Sequence, residues 1–239
     1  MFESCSRKLL VGLPLAALIT LSGCGSSPTS DAADTTKEHS VSTVTANEGV
    51  SSELTVTAAG EPFEALTEQA FSADGVKLFS LYDEAQVAAD GIRDKLPPET
   101  AKALDARLAE TKVAIVARQP ADIALSAVEG YKLIASAFPA DAKVPIAVSL
   151  LDYAGFRIQA DLQSEPVRWA DAAQAATYAQ EQWSLAKDKV ADTALRDKFE
   201  ASVKSLQKAT TIKDKAMATR AAKLELDLVD SLETYFQAM

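Results

Sequence analysis

Beyond Gly60 the apolar residues recur at helical spacing. Leu78, Tyr82, Ala85, Ala89, Ile92 and Leu96 step alternately by four and three, which places them on one stripe of a helix. The same rhythm runs through Ala101, Leu104, Leu108, Thr111 and Ile115, then Ile123, Ala127, Tyr131, Ile134 and Phe138, then Leu151, Ala154, Ile158 and Leu162. Proline falls between these stretches, at Pro62, Pro97, Pro98, Pro120, Pro139, Pro145 and Pro166, where it suits the first turn of a helix or ends the one before. From residue 167 to the end there is neither Pro nor Gly. Polar caps must make the joints there: Asp192 before Leu195, and Thr211 with Asp214 three residues on. The pattern predicts helices near 62–71, 75–96, 98–118, 120–138, 144–162, 166–189, 192–208 and 212–237. The fold class is therefore all-α, an antiparallel helical bundle of seven or eight helices occupying residues 61–239.

An internal duplication is also legible, at an offset of 91 residues. Val76 pairs with Val167, Ala85 with Ala176, Leu78 with Trp169, Ile92 with Trp183 and Leu108 with Phe199. The match lies in apolar register more than in identity, so it fits two repeats or one irregular bundle whose helices share a period.

The first sixty residues are of another kind. Arg7 and Lys8 precede an apolar run from Leu9 to Leu21, and small residues then close on a cysteine: Leu21-Ser22-Gly23-Cys24. Charge, a short apolar segment and a small-residue cleavage site form a secretory leader, too short for a permanent membrane span. The four closing residues resemble the lipobox of bacterial lipoproteins. That resemblance implies cleavage before Cys24, acyl chains on Cys24 and a membrane anchor. Gly25 after the cysteine resembles the outer-membrane sorting pattern of Gram-negative lipoproteins, with the domain facing the periplasm. The alternative is an ordinary secretory leader with a chance cysteine. Residues 24–60, rich in Ser, Thr, Ala, Asp and Glu and lacking aromatics between 25 and 60, read as a disordered tether. As a random coil it reaches roughly 35 Å. The Val-Ser-Thr-Val-Thr run at 41–45 has strand propensity within it.

Composition narrows the chemistry. The chain has 24 basic and 34 acidic residues, a net charge of −10. Arg7, Lys8 and Glu3 leave with the leader, so the remaining 216 residues carry −11. Such a surface repels nucleic acid and anionic headgroups and favours a basic envelope protein as partner. Of the two cysteines, Cys5 lies in the leader and Cys24 carries the lipid, so the domain has no disulfide, thiolate metal site or cysteine nucleophile. The one histidine, His39, falls in the tether, which removes His-ligated haem, a Glu-x-x-His di-iron site and a Ser-His-Asp triad. Glu64 with Glu68 and Asp90 with Asp94 lie four apart, but no calcium-type loop accompanies them. No cofactor and no metal is expected, and an enzyme is the weakest functional class.

Two features point to binding. Between Trp169 and Trp183 lie six alanines and Tyr178, a run of small side chains that lets a neighbouring helix approach closely or leaves a groove. Trp169, Tyr178, Trp183, Tyr153 and Phe156 together would wall an apolar cavity. Arg157, inside the apolar stretch from Tyr153 to Ile158, would anchor a polar head, or else bury only its stem and reach Asp161 four residues on. The last helix, with Leu224, Leu226, Leu228, Val229, Leu232, Tyr235 and Phe236, is apolar beyond one stripe, fit for central burial or a protein contact. Two functions follow as expectations: an anchored carrier of a lipid-like or sterol-like molecule, or a scaffold lipoprotein binding another envelope protein through its helical surface.

Overall fold

The computed structural model describes residues 51–137 and 143–239, with side chains from residue 58 onward. The leader, Cys24, His39 and the tether as far as residue 50 lie outside the described residues. The described chain is all helix: α1 Ser51–Gln69, α2 Gly75–Ile92, α3 Pro98–Ala117, α4 Pro120–Ala135, α5 Ile146–Gln163, α6 Trp169–Ala186, α7 Thr193–Ile212 and α8 Lys215–Gln237. Short 3₁₀ turns, Arg93–Lys95 and Lys187–Lys189, extend α2 and α6.

Capping explains the boundaries. Asp74 accepts from the Lys77 amide at 2.9 Å and opens α2. Asp192 accepts from Ala194 and Leu195 at 2.9 and 3.0 Å and opens α7, and Asp214 accepts from Met217 at 2.9 Å and opens α8. Each satisfies a first-turn amide that the helix leaves without a partner. Pro98 and Pro120 start α3 and α4. Thr211, expected as a cap, instead lies in the last turn of α7 and donates back to the Gln207 carbonyl.

Two expectations at the amino-terminal end need correction. Helix α1 begins at Ser51, so residues 51–60 are helical, not tether. Pro62 lies inside this helix, not at a joint. The physical reason is burial: Ala59, Phe63, Leu66 and Ala70 form a stripe against α4 and α2 that runs straight through the proline. Gly60 lets α1 approach α4, where a Cβ would already lie 3.1 Å from the Tyr131 ring.

The helices form two closed rings of four. Helices α1 to α4 pack in sequence and α4 returns to α1; α5 to α8 do the same and α8 returns to α5. Contacts of α5 with α4, and to a lesser extent α1, join the rings. Successive helices with short connections run antiparallel, so the turns α1–α2, α3–α4, α5–α6 and α7–α8 share one end.

The two rings are repeats, but the offset is 94 to 95, not 91. The buried set Leu78, Leu81, Tyr82, Ala85, Ala89, Ile92 and Leu96 recurs 94 residues on as Ala172, Ala175, Ala176, Ala179, Trp183, Ala186 and Val190, all buried. Arg93-Asp94-Lys95 recurs as Lys187-Asp188-Lys189, both in 3₁₀ turns. At 95 residues, Ala59-Gly60 recurs as Ala154-Gly155 and Leu104 as Phe199. Arg118 (φ 55°) and Lys213 (φ 57°) both end their helices in the left-handed conformation. The offset of 91 differs by three to four residues, close to one helical turn, so it preserved the apolar stripe while misaligning every residue on it.

Candidate functional site

The aromatic residues expected to wall one cavity are distributed among three separate cores. Trp183 is fully buried in the second ring, its ring centroid 4.5 Å from that of Phe199, and its indole Nε1 donates to Glu200 Oε2 at 2.6 Å. Trp169 is half-buried against the cluster of Ile158, Leu162 and Leu206. Phe156 faces the first ring and meets Tyr131 edge-on at 6.5 Å. The alanines of α6 are used for close packing: Ala172, Ala175, Ala176 and Ala179 are buried, and α5 with α6 is the most extensive helix pair in the chain.

Three of the six residues do come together. Tyr153 and Tyr178 meet edge-to-face at 5.6 Å, and Lys132 Nζ stands 4.5 and 4.8 Å from their ring centroids. The Tyr153 hydroxyl donates to Glu129 Oε1 at 2.8 Å. Arg157 donates to the same Glu129 oxygen and, through Nε, to Asp161 Oδ2 at 3.2 Å. Asp161 is completely buried, and burial pushes its carboxyl up to about 6 against the pull of Arg157 and Arg168. Glu129, Lys132, Tyr153, Arg157 and Tyr178 line an open cleft of about 340 Å³ between α4, α5 and α6, with Asp161 buried behind Arg157. It is a polar, internally paired network. Arg157 reaches Asp161, as the second reading of its sequence position has it, and its charge is matched on both sides.

The apolar recess lies elsewhere, at the end where three turns meet. A groove of about 720 Å³ runs between the α1–α2 and α3–α4 turns, lined by Phe71, Leu78, Phe79, Ile115, Val116 and Ile123, with Arg118 among its walls. A second recess of about 610 Å³ continues it toward the α5–α6 turn, and the two share Phe71 and Pro120. Phe79 is 38% exposed and Val116 69%, so the groove floor meets solvent. Arg118 has no ion pair among the described residues, whereas Arg168 at the far side is held by Asp171 at 2.7 Å.

Sequence reasoning placed Leu78, Ile115 and Ile123 on buried stripes and missed Phe71, Phe79 and Val116, which are out of phase with them. Phe71 and Phe79 lie off the buried stripe of α1 and α2, and Val116 lies off that of α3. The available signal was an apolar residue out of phase. Val76, Phe79, Val87, Val113 and Val116 all break the stripe, and they form five of the nine exposed large apolar side chains among the described residues.

Comparison of the chain with protein-family models, with curated proteins and with solved structures finds no match.

Proposed function

We propose that this chain is a non-catalytic, envelope-anchored lipoprotein whose helical domain docks an apolar segment of another envelope protein. Acylation of Cys24 holds it at the membrane, and residues 25–50 link that anchor to the domain. The observation that carries the reading is where the apolar surface lies. Trp183 and Phe156 are buried in separate cores, while five of the nine exposed large apolar side chains among the described residues lie on α2 and α3, and two of these, Phe79 and Val116, line an open groove. A monomer rarely leaves such a patch without a use. The net charge of −10 adds electrostatic steering toward a basic partner.

The carrier reading survives in one form. The groove volume of about 720 Å³ lies within the range of small-molecule sites, so an apolar ligand lying in the groove, not in the interior, is the second reading. Photocrosslinking in living cells separates them. A photoreactive residue placed at 79 or 116 should give one discrete protein adduct, and the same probe at Leu185 or Ile212, exposed apolar positions on the other ring, should not. Adducts of lipid mass alone at 79 and 116, or equal adducts at all four positions, would overturn the docking reading.

A further inference from the structure

Away from the groove, the seam between the two rings encloses a cavity of about 130 Å³. Glu61 and Glu64 reach it from α1, Asp152 from α5, and Asp230 and Glu233 from α8. No lysine or arginine lines it among the described residues. Carboxylates on a solvated face are ordinary, but Asp152 is not of that kind. It is 8% exposed, lines the cavity, and has neither a hydrogen bond nor an ion pair among the described residues. A buried carboxylate without a partner carries a large desolvation cost. The Tyr131 hydroxyl does not relieve it, because it donates to the Ser149 carbonyl at 3.3 Å.

We propose that this cavity binds the ammonium groups of a linear aliphatic polyamine, with Asp152 as the buried counter-ion and Glu61, Glu64, Asp230 and Glu233 along the exit. The shape favours an organic cation over a bare metal. Among the described residues no three carboxylates converge closely enough to hold a metal ion. Glu61 with Glu64, and Asp230 with Glu233, instead lie three residues apart on their helices, which spaces each pair about 5–6 Å along the seam. Successive ammonium groups on a flexible methylene chain can follow that spacing. Ile134, Ala135 and the Tyr131 ring line the same space and supply apolar contact for the methylenes, and the ring adds cation–π attraction. The cavity holds one ammonium with its neighbouring methylenes; the remainder of the ligand follows the exposed Glu61 and Asp230. Until a cation arrives, burial and the neighbouring carboxylates hold Glu64, Asp152 and Glu233 toward their protonated forms, with Glu64 raised to about 7 and Asp152 and Glu233 raised as well.

Calorimetric titration of the full chain in detergent, near neutral pH and low salt, with spermidine, n-butylamine and calcium chloride tests this site. Spermidine should bind one to one and at least tenfold more tightly than either control. Asp152→Asn should weaken spermidine at least tenfold, and Glu233→Gln by a smaller factor, with the helical circular-dichroism signal unchanged. Should Asp152→Asn fail to fold, the exposed Glu61→Gln variant carries the test, with an expected loss of about threefold. Calcium binding as tight as spermidine, absence of spermidine binding, or full affinity in the folded variants would each overturn the proposal.

Discussion

Gly155 lies so close to Leu226 that a Cβ added to it would sit 2.6 Å from Cδ2 and 2.7 Å from Cγ of that side chain. Ninety-five residues earlier, Gly60 stands in the same relation to Tyr131, with a looser approach of 3.1 Å to the ring. Both glycines bring the first helix of a ring against its fourth, and only the Gly155 contact is too tight for any side chain. Gly155→Ala must push α5 off α8, which costs about 1–3 kcal/mol through overpacking. Gly60→Ala asks the Tyr131 ring to give by a few tenths of an ångström, and the helical preference of alanine over glycine, about 1 kcal/mol, offsets this. Urea denaturation should show a clear fall in stability for the first variant and a near-neutral result for the second.

Glu225 is completely buried, and neither carboxylate oxygen has a hydrogen-bond partner among the described residues. Desolvation therefore holds it protonated, its pKa raised well above the usual carboxylate range. Glu64 is raised to about 7, by burial first and by Glu233, Glu68 and Glu61 next. For an acid whose folded pKa exceeds its unfolded value, the folded state binds the extra proton. Stability is then greatest below the unfolded pKa and falls as pH rises through the folded one. The melting temperature should decline between pH 5 and pH 8. Glu64 alone contributes up to about 3 kcal/mol to that decline. Glu225→Gln, neutral at every pH, should melt higher than the parent at pH 8 and close to it at pH 5. A melting temperature that climbs across this range would contradict the assignment.

Trp183 and Phe199 fill the centre of the second ring, both with no exposed surface. Trp183→Ala removes that contact and leaves the Glu200 carboxylate without its indole donor, at a cost of about 3–5 kcal/mol. Because neither tryptophan lines the groove, occupancy of the groove should leave the Trp183 emission unchanged. A large emission shift on addition of lipid vesicles would place a ligand inside the ring.

Phe79 and Val116 belong to the groove and not to the core. Replacing both with serine should cost about 1–2 kcal/mol, most of it from Phe79, which is only 38% exposed, and should leave the helical circular-dichroism signal intact. With the photoreactive residue placed instead at Arg118, which also lines the groove, the same variant should lose the protein adduct.

Helix positions were legible because each is fixed locally. The apolar stripe and Pro98 give α3 as 98–118 against an observed Pro98–Ala117, and Asp192 caps where its spacing says it should, whereas the cap of α8 falls on Asp214 and not on Thr211. What each stripe packs against was not legible, since a stripe specifies a face but not its partner. That is why Trp169, Trp183 and Phe156 read as one cavity wall when they serve three cores. A helical period also cannot distinguish offsets one turn apart, which displaced the repeat by three to four residues. Pro62 misled for a related reason: propensity favours a break there, and burial of Phe63 and Leu66 on α2 and α4 overrides it. Asp152 and Glu225 were hidden because nothing in a sequence separates a buried carboxylate from the many that face water.

The most direct test of an exterior docking surface is native mass spectrometry of the full acylated chain released from membranes in mild detergent. The account predicts a complex with one protein partner that dissociates in the Phe79→Ser, Val116→Ser variant, with no apolar small molecule retained in stoichiometric amount. A one-to-one adduct of lipid mass that persists in that variant, without a protein partner, would contradict it.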